Sequence, residues 1–327
     1  VLKAVDTKKY RTTAIAISKD GQWSLPALPV HADGTTNPEA ISDALTATGP
    51  TTTSAALSAL GANTVVIPLL HGPLGEDGTI QGLLELLNLP YVGSAVLASA
   101  VAMDKGVSKS LFAQHNIPQA RYITLREDAI TPSVLQDATS RLGLPLFVKP
   151  ANMGSSVGVT KAHTIEEFQA AVQHASTYDE WIVCEECISG REIEVAVIGN
   201  RSPRASVAGE IIPGNEFYDY EDKYVTDSAT LMIPALLTEQ ESNTVRELAL
   251  RAYNALHCEG MARVDFFYEE NGRGFLCNEI NTIPGFTPIS MYPKLWNATG
   301  VPYSQLIDEL IELAIERHAR RKRTTSR

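Results

Sequence analysis

A change of texture along the chain restricts its fold more than any single motif. Up to about residue 103, β-rich runs at Thr12–Ser18, Thr64–Leu70 and Leu89–Val92 alternate with helix-length segments at Asn37–Ala47 and Gly78–Leu87. Strands separated by helices pair in parallel, because a parallel neighbour is reached only through a crossover. The last third is different. There Ala262–Tyr268 and Gly274–Ile280 flank Asn271-Gly272, the signature of an antiparallel hairpin. The chain therefore reads as α/β followed by α+β: an open parallel-sheet unit at 1–103, a second unit at 104–188 and a third at 189–327.

The middle unit predicts helices at Asp104–His115, Pro132–Leu142 and Ile165–Ser176, the last opened by the capping box Thr164-Ile-Glu-Glu167. Strands are expected at Arg121–Leu125, Leu146–Lys149, Gly158–Lys161 and Glu180–Cys184. The third unit adds strands Glu192–Ile198 and Ala205–Ile212, and a polar, aromatic loop at Pro213–Ser228. Thr238-Glu-Gln-Glu241 caps a helix running to about Leu256, and a terminal helix covers about Ser304–His318. Val1–Tyr10 reads as the end of a helix.

Charge and composition exclude several functions. A net charge of −11 over 327 residues argues against general nucleic-acid binding, which needs a basic surface to neutralise phosphates. The one basic run, Arg317–Arg327, carries six Lys/Arg and reads as a solvated helix end. No apolar run approaches a membrane span, and no leader pattern opens the sequence. Four cysteines are too few for a disulfide framework, which points to the cytoplasm. Cys184-Glu-Glu-Cys187 is half a zinc site with no second half, so free thiols are expected.

Several segments could carry chemistry. In Phe147-Val-Lys-Pro-Ala-Asn-Met-Gly-Ser-Ser-Val-Gly158 a lysine at a strand end precedes a Gly/Ser loop, a pattern able to wrap an anion. It lacks the Gly-Lys-Ser/Thr of a Walker loop, and a flexible hairpin with an exposed lysine is the plain alternative. Asp265, Glu279 and Asn281 form an oxygen-only set suited to Mg²⁺ or Mn²⁺. Glu279 and Asn281, two apart on a strand, face the same way. Asp265 joins them only if the hairpin loop is odd-numbered or a bulge intervenes; otherwise the face is solvated and carries an ordinary salt bridge. Lys105, Lys149 and Glu185 could bracket a nucleotide. Phe217–Tyr224 is aromatic enough to fold over something. Leu70–Gly78 follows a strand and precedes a helix, where open α/β sheets bind ligands.

Taken together, these segments resemble the ATP-grasp ligases, and within them the D-alanine–D-alanine ligase family. The resemblance covers nearly the whole chain. It rests on His71-Gly-Pro-Leu-Gly-Glu-Asp-Gly-Thr79, Met103-Asp-Lys105, Val148-Lys-Pro150 with Gly154–Gly158, Phe217–Tyr224, Arg263-Val-Asp265 and Asn278-Glu-Ile-Asn-Thr-Ile-Pro-Gly285.

The resemblance implies a pre-ATP-grasp domain followed by a two-subdomain ATP-grasp fold. It implies ATP as co-substrate, two Mg²⁺ or Mn²⁺ ions, a possible monovalent cation, D-alanine as substrate and a homodimer. Lys105 and Lys149 would hold the phosphates, with Ser156 and Lys223 also binding the nucleotide; Glu185, Glu186 and Ile188 would meet the adenine and Glu192 the ribose. Asp265, Glu279 and Asn281 would carry the metals. Arg263 and the Gly285 N–H would hold the oxyanion, and Ser155 and Tyr224 would close the site. Lys223, Ser290 and Met291 would hold the second substrate, and His71 would line the pocket of the first. Lys223-Tyr224 resembles the dipeptide-forming members. The family's opening Gly-Gly-x-Ser-x-Glu-His segment has no counterpart in this sequence. The alternatives are another carboxylate–amine ligase of the group, or a nucleotide-binding module without turnover.

Overall fold

The computed structural model describes residues 1–26 except Lys3 and Lys19, 49–212 except 59 and 62, 230–287, and 289–322. The expected helix Asn37–Ala47 and the aromatic loop with Lys223 and Tyr224 lie outside the described residues.

The strand expected at Thr12–Ser18 shortens to β1 (Ala16–Ile17), antiparallel to β2 (Trp23–Ser24). Asp20-Gly21 reverses the chain, with Gly21 at φ +80° and its N–H on Ser18 O. This is an ordinary Asp-Gly turn that a parallel reading passes over. The described residues of 1–10 form turns rather than a helix end, and Val5 packs on Ile307 and Ile311. After α1 (Thr53–Ser58), the expected strands at 64–70 and 89–92 meet in parallel through the single bridge Val66–Tyr91. Between them lies α2 (Thr79–Leu86). The helix expected at Asp104–His115 is the second of two, α3 (Val96–Met103) and α4 (Lys105–Gln114). Asp104 separates them: its extended backbone ends α3, and its carboxylate caps α4 by accepting from Val107 N at 2.9 Å.

The middle of the chain builds a four-stranded antiparallel sheet from β3 (Tyr122–Arg126), β4 (Leu146–Pro150), β5 (Thr160–Ala162) and β6 (Trp181–Glu186), in the order β3-β6-β4-β5. Leu146, Val148, Ile182 and Cys184 point to one face and pack under α5 (Pro132–Leu142) and α6 (Ile165–Ala175). Period-two alternation therefore sends Lys149 and Glu185 to the other face.

A five-stranded sheet follows, ordered β11-β10-β7-β8-β9, from β7 (Arg191–Gly199), β8 (Arg204–Ile212), β9 (Thr230–Met232), β10 (Gly260–Glu269) and β11 (Gly274–Asn281). Ile193, Val195, Val264 and Phe266 pack beneath α7 (Glu239–Ala255), whose N-terminus carries the expected Thr238/Glu241 capping box. The opposite face is divided. At one end Ala196, Ile198 and Met261 join α8 (Met291–Ala298) and α9 (Tyr303–Arg321) in a second core. At the other end stand Glu192, Glu194, Arg263 and Asp265.

The basic tail departs from its solvated reading at its first residue. Arg317 is buried, its guanidinium donating to the carbonyls of Tyr91 and Gly93 and lying over the Tyr91 ring. A face of α9 that reads as basic and exposed is thus one of the contacts that tie the first unit to the last.

Candidate active site

A cleft of about 610 Å³ opens between the polar faces of the two larger sheets. Lys105, Lys149, Ser155, Ser156, Glu185, Glu186, Ile188 and Glu192 line it, together with Arg263, Asp265 and Glu279. Eleven of the residues singled out from sequence therefore share one wall-to-wall space.

The carboxylate pair depends on a bulge. Asp265 lies directly opposite Glu279 and Arg263 opposite Asn281, so all four side chains share a face. Beyond Asp265 the register slips by one, so that Phe266 pairs with Cys277 and Glu269 with Gly274. Of the alternatives left open by the sequence, the bulge is the one found: the connecting loop is even-numbered, Glu270–Arg273, and without the slip Asp265 and Glu279 would point to opposite faces. Both Asp265 oxygens accept from Arg263 at 2.7 Å, and Glu194 lies 3.1 Å from the same guanidinium. Burial lowers the Arg263 pKa, but Asp265 and Glu194 outweigh it and hold the value well above the ordinary one. Asn281 Oδ1 accepts from Ile283 N at 3.0 Å. Among the described residues no three His, Cys, Asp or Glu side chains assemble into a metal cluster; the candidate set is two acids and an amide. As hard oxygen donors they fit Mg²⁺ or Mn²⁺, once Asp265 shares its carboxylate with Arg263.

Across the cleft, Lys105 Nζ rests on Met153 O at 2.5 Å, at the base of the Gly/Ser loop. Burial lowers its pKa against the opposing pull of Glu279. Lys149 Nζ lies 3.1 Å from Glu185 Oε2 and 3.4 Å from Asn278 Oδ1. Burial would raise the Glu185 pKa, yet Lys109 and Lys149 together hold it at about 2. Glu186, expected at the adenine, sends its side chain elsewhere: it accepts from Arg121 and from Arg273, linking the two sheets beside the hinge.

The loop itself is constrained. Ser155 and Ser156 are both left-handed, at φ 53° and 59°, a conformation that gathers at ligand loops. Gly158 closes it at φ +72°, where a Cβ would fall 2.7 Å from Pro150 Cγ and 2.8 Å from Tyr178. Gly158→Ala should cost about 1–3 kcal/mol and slow any reaction that needs the loop closed. Thermal melting and initial rates check this, and an unchanged melting temperature would remove the loop constraint.

His71, Gly285, Ser290, Met291 and Asn281 lie outside the cleft lining. His71 is raised in pKa, chiefly by Glu76, whose carboxylate lies 3.9 Å from Nδ1, against the opposing effects of burial and Arg263. Ser290 Oγ accepts from Thr287 N, and a Cβ on Gly285 would strike it at 2.7 Å. Met291 buries its side chain in the second core, which leaves its amide in the first turn of α8. Sequence reading missed Lys109, Glu194, Asn278 and Arg273. Two of these carried a signal: Lys109 is one helical turn after Lys105, and Glu194 shares a strand face with Glu192.

The family described as D-ala D-ala ligase N-terminus matches residues 1–94, and D-ala D-ala ligase C-terminus matches 111–312. The chain is 47% identical to a D-alanine–D-alanine ligase of Solibacter usitatus over 99% of its length and 91% of that protein's. It is 46% identical to one of Geobacillus thermodenitrificans, covering 99% and 92%. Among solved structures, the D-alanine–D-alanine ligase of Coxiella burnetii superposes with a TM-score of 0.82 at 39% identity, covering 98% of this chain and 90% of that one. The VanG D-Ala:D-Ser ligase of Enterococcus faecalis does so with a TM-score of 0.82 at 32% identity, covering 95% and 92%.

Proposed function

The chain belongs to the D-alanine–D-alanine ligase family, and on that premise we propose how its cleft carries out the reaction. The enzyme joins two D-alanines at the expense of ATP, releasing D-alanyl-D-alanine, ADP and phosphate for peptidoglycan synthesis. The observation that carries this reading is the facing arrangement of Lys105 and Lys149 on one side and Arg263, Asp265 and Glu279 on the other. Phosphoryl transfer requires positioning and charge neutralisation more than covalent help.

ATP lies with its base along the stretch from Glu185 to Ile188, its ribose at Glu192 and its phosphates at Lys105 and Lys149, with Ser156 and Lys223 of the aromatic loop completing the set. The carboxylate of the first D-alanine, beside His71, takes the γ-phosphoryl group and ADP leaves. The amine of the second attacks the acyl phosphate, whose carbon–oxygen bond to phosphate then breaks. Arg263 and the Gly285 N–H hold the oxyanion that forms at this carbon. Ser290 and the amide of Met291, with Lys223, hold the second carboxylate. Ser155 and Tyr224 keep water from the acyl phosphate. Asp265, Glu279 and Asn281 are the residues that would hold Mg²⁺ or Mn²⁺, which when bound neutralise phosphate charge; a monovalent cation is a further expected aid.

We place the three units at 1–103, 104–188 and 189–327, the enzyme in the cytoplasm beside its ATP supply, and two copies in a homodimer. Among the described residues no helix is long and apolar enough to cross a membrane.

The test is phosphate release with and without D-alanine, with the product identified. Stimulation by D-alanine and formation of the dipeptide are expected. Nucleotide binding without such stimulation would favour the module without turnover, and preference for D-serine as second substrate would move the enzyme toward the VanG type.

A further inference from the structure

Glu185 is a carboxylate buried in the floor of the cleft between two lysines of different accessibility. Lys149 Nζ, on β4, lies 3.1 Å from Oε2 and faces the cleft. Lys109 Nζ, on α4, lies 3.3 Å from Oε1, is 1% exposed and does not line the cleft. The mechanism above uses Lys149 and gives Lys109 nothing to do. A fully buried ammonium is costly and is retained where it meets a specific charge.

We propose that Lys109 is a positioning residue that keeps Glu185 compensated when ATP phosphates draw Lys149 away. The inference rests on the reading of this cleft as the ATP site. Without nucleotide, Glu185 shares two cations. With nucleotide, Lys149 turns to phosphate, and Glu185 and Lys109 remain as a neutral buried pair. Were Lys109 absent, each binding event would strand a carboxylate in a low-dielectric floor, and Glu185 would have to take up a proton instead.

The surroundings favour this division of labour. Lys109 Nζ makes no hydrogen bond, so its charge is met by the Glu185 ion contact and by its surroundings. Its ammonium stands 5.7 Å over the Tyr122 ring, and Tyr122 is the strand partner of Glu185. Its own carbonyl accepts from Gln119 Nε2 at 2.8 Å. The segment at Gln119 is bridged to Cys277 of β11. The ionisable groups around Glu185 are Lys105 and Lys109 from α4, Lys149 from β4, Cys184 beside it on β6, Tyr122 from β3, and Cys277 from β11, whose thiol senses Lys109. Of the three cations, two face the cleft and are claimed by phosphate; Lys109 alone stays behind.

The experiment compares ADP with adenosine, because only ADP carries the phosphates that pull on Lys149. In the native enzyme, calorimetry should show both ligands binding with little proton uptake; failure of the native enzyme to bind ADP would refute the nucleotide reading itself. Lys109→Met should weaken ADP by about 10- to 100-fold and adenosine by less than about threefold, with proton uptake on ADP binding visible as a heat that changes with buffer. Lys109→Arg should restore ADP affinity. In the double variant Lys109→Met with Glu185→Gln no charge is stranded, so the ADP-to-adenosine ratio should return toward the native value, and this pair tests the idea even if Lys109→Met alone does not fold. Equal losses for ADP and adenosine, or a double variant that keeps the ADP defect, would reduce Lys109 to packing and overturn the proposal.

Discussion

Replacing Glu279 by Gln is expected to lower D-alanine-dependent ADP release by about 10²–10³-fold, while the melting temperature moves by only a few degrees. The geometry separates the two effects. Glu279 stands directly opposite Asp265 on the polar face of the hairpin, where its charge acts on the cleft: it opposes the lowering of the Lys105 pKa by burial and adds to the hold of Asp265 and Glu194 on Arg263. The stability of the hairpin comes from the other face, where Val264, Phe266, Phe275 and Ile280 are buried. Glutamine keeps the shape and one acceptor oxygen but removes a unit of negative charge from a two-acid set. Mn²⁺ binding followed by electron paramagnetic resonance gives a readout independent of turnover, and it should weaken by more than tenfold. Near-native rates, or a rate loss with native Mn²⁺ affinity, would remove Glu279 from the metal set.

That pairing also shows how far the sequence was legible. Alternation places Glu279 and Asn281 on one face, since a period of two is a property of any strand. Whether Asp265 joins them depends on a one-residue slip at Phe266, and no residue there announces a bulge, which is why the sequence left the matter open. The direction of burial was equally silent. Val264 and Phe266 say that one face is apolar, but only the helix Glu239–Ala255 lying over them decides which. Local chemistry was the most legible. The Thr164 and Thr238 caps and the boundaries of Pro132–Leu142 follow from short-range hydrogen bonds that the sequence spells out. Long-range uses of charge were the least legible. Arg317 reads as tail because its partners are backbone carbonyls 224 and 226 positions away, which carry no side-chain signature. The resemblance puts Glu186 among the nucleotide contacts and the cleft does include it, but the sequence says nothing of Arg121 and Arg273, which bond its carboxylate. A charged residue in a motif marks a neighbourhood; only the fold assigns its partner.

The second large effect is expected at Arg263, where Arg263→Lys should lower kcat by about 10²–10³-fold with a loss of stability of only about 1–2 kcal/mol. The native guanidinium meets Asp265 through two parallel hydrogen bonds of 2.7 Å each and meets Glu194 at 3.1 Å. A planar fork can keep one edge on these acids while presenting other N–H groups to an oxyanion. A lysine ammonium is a point charge, and with two carboxylates beside it in a buried site it stays on them. The substitution thus preserves the charge that Asp265 and Glu194 need and removes the geometry that the reaction needs. Arg263→Met would be a poorer test, because it strands both acids and confounds folding with catalysis. Glu194→Gln supplies the complementary measurement. It loosens the guanidinium without removing it, so kcat should fall by about tenfold or less, and the KM for ATP should hardly move. Should Arg263→Lys keep native kcat at a lowered melting temperature, the guanidinium is a strut for Asp265 and Glu194, and the oxyanion must be held by the Gly285 amide without it.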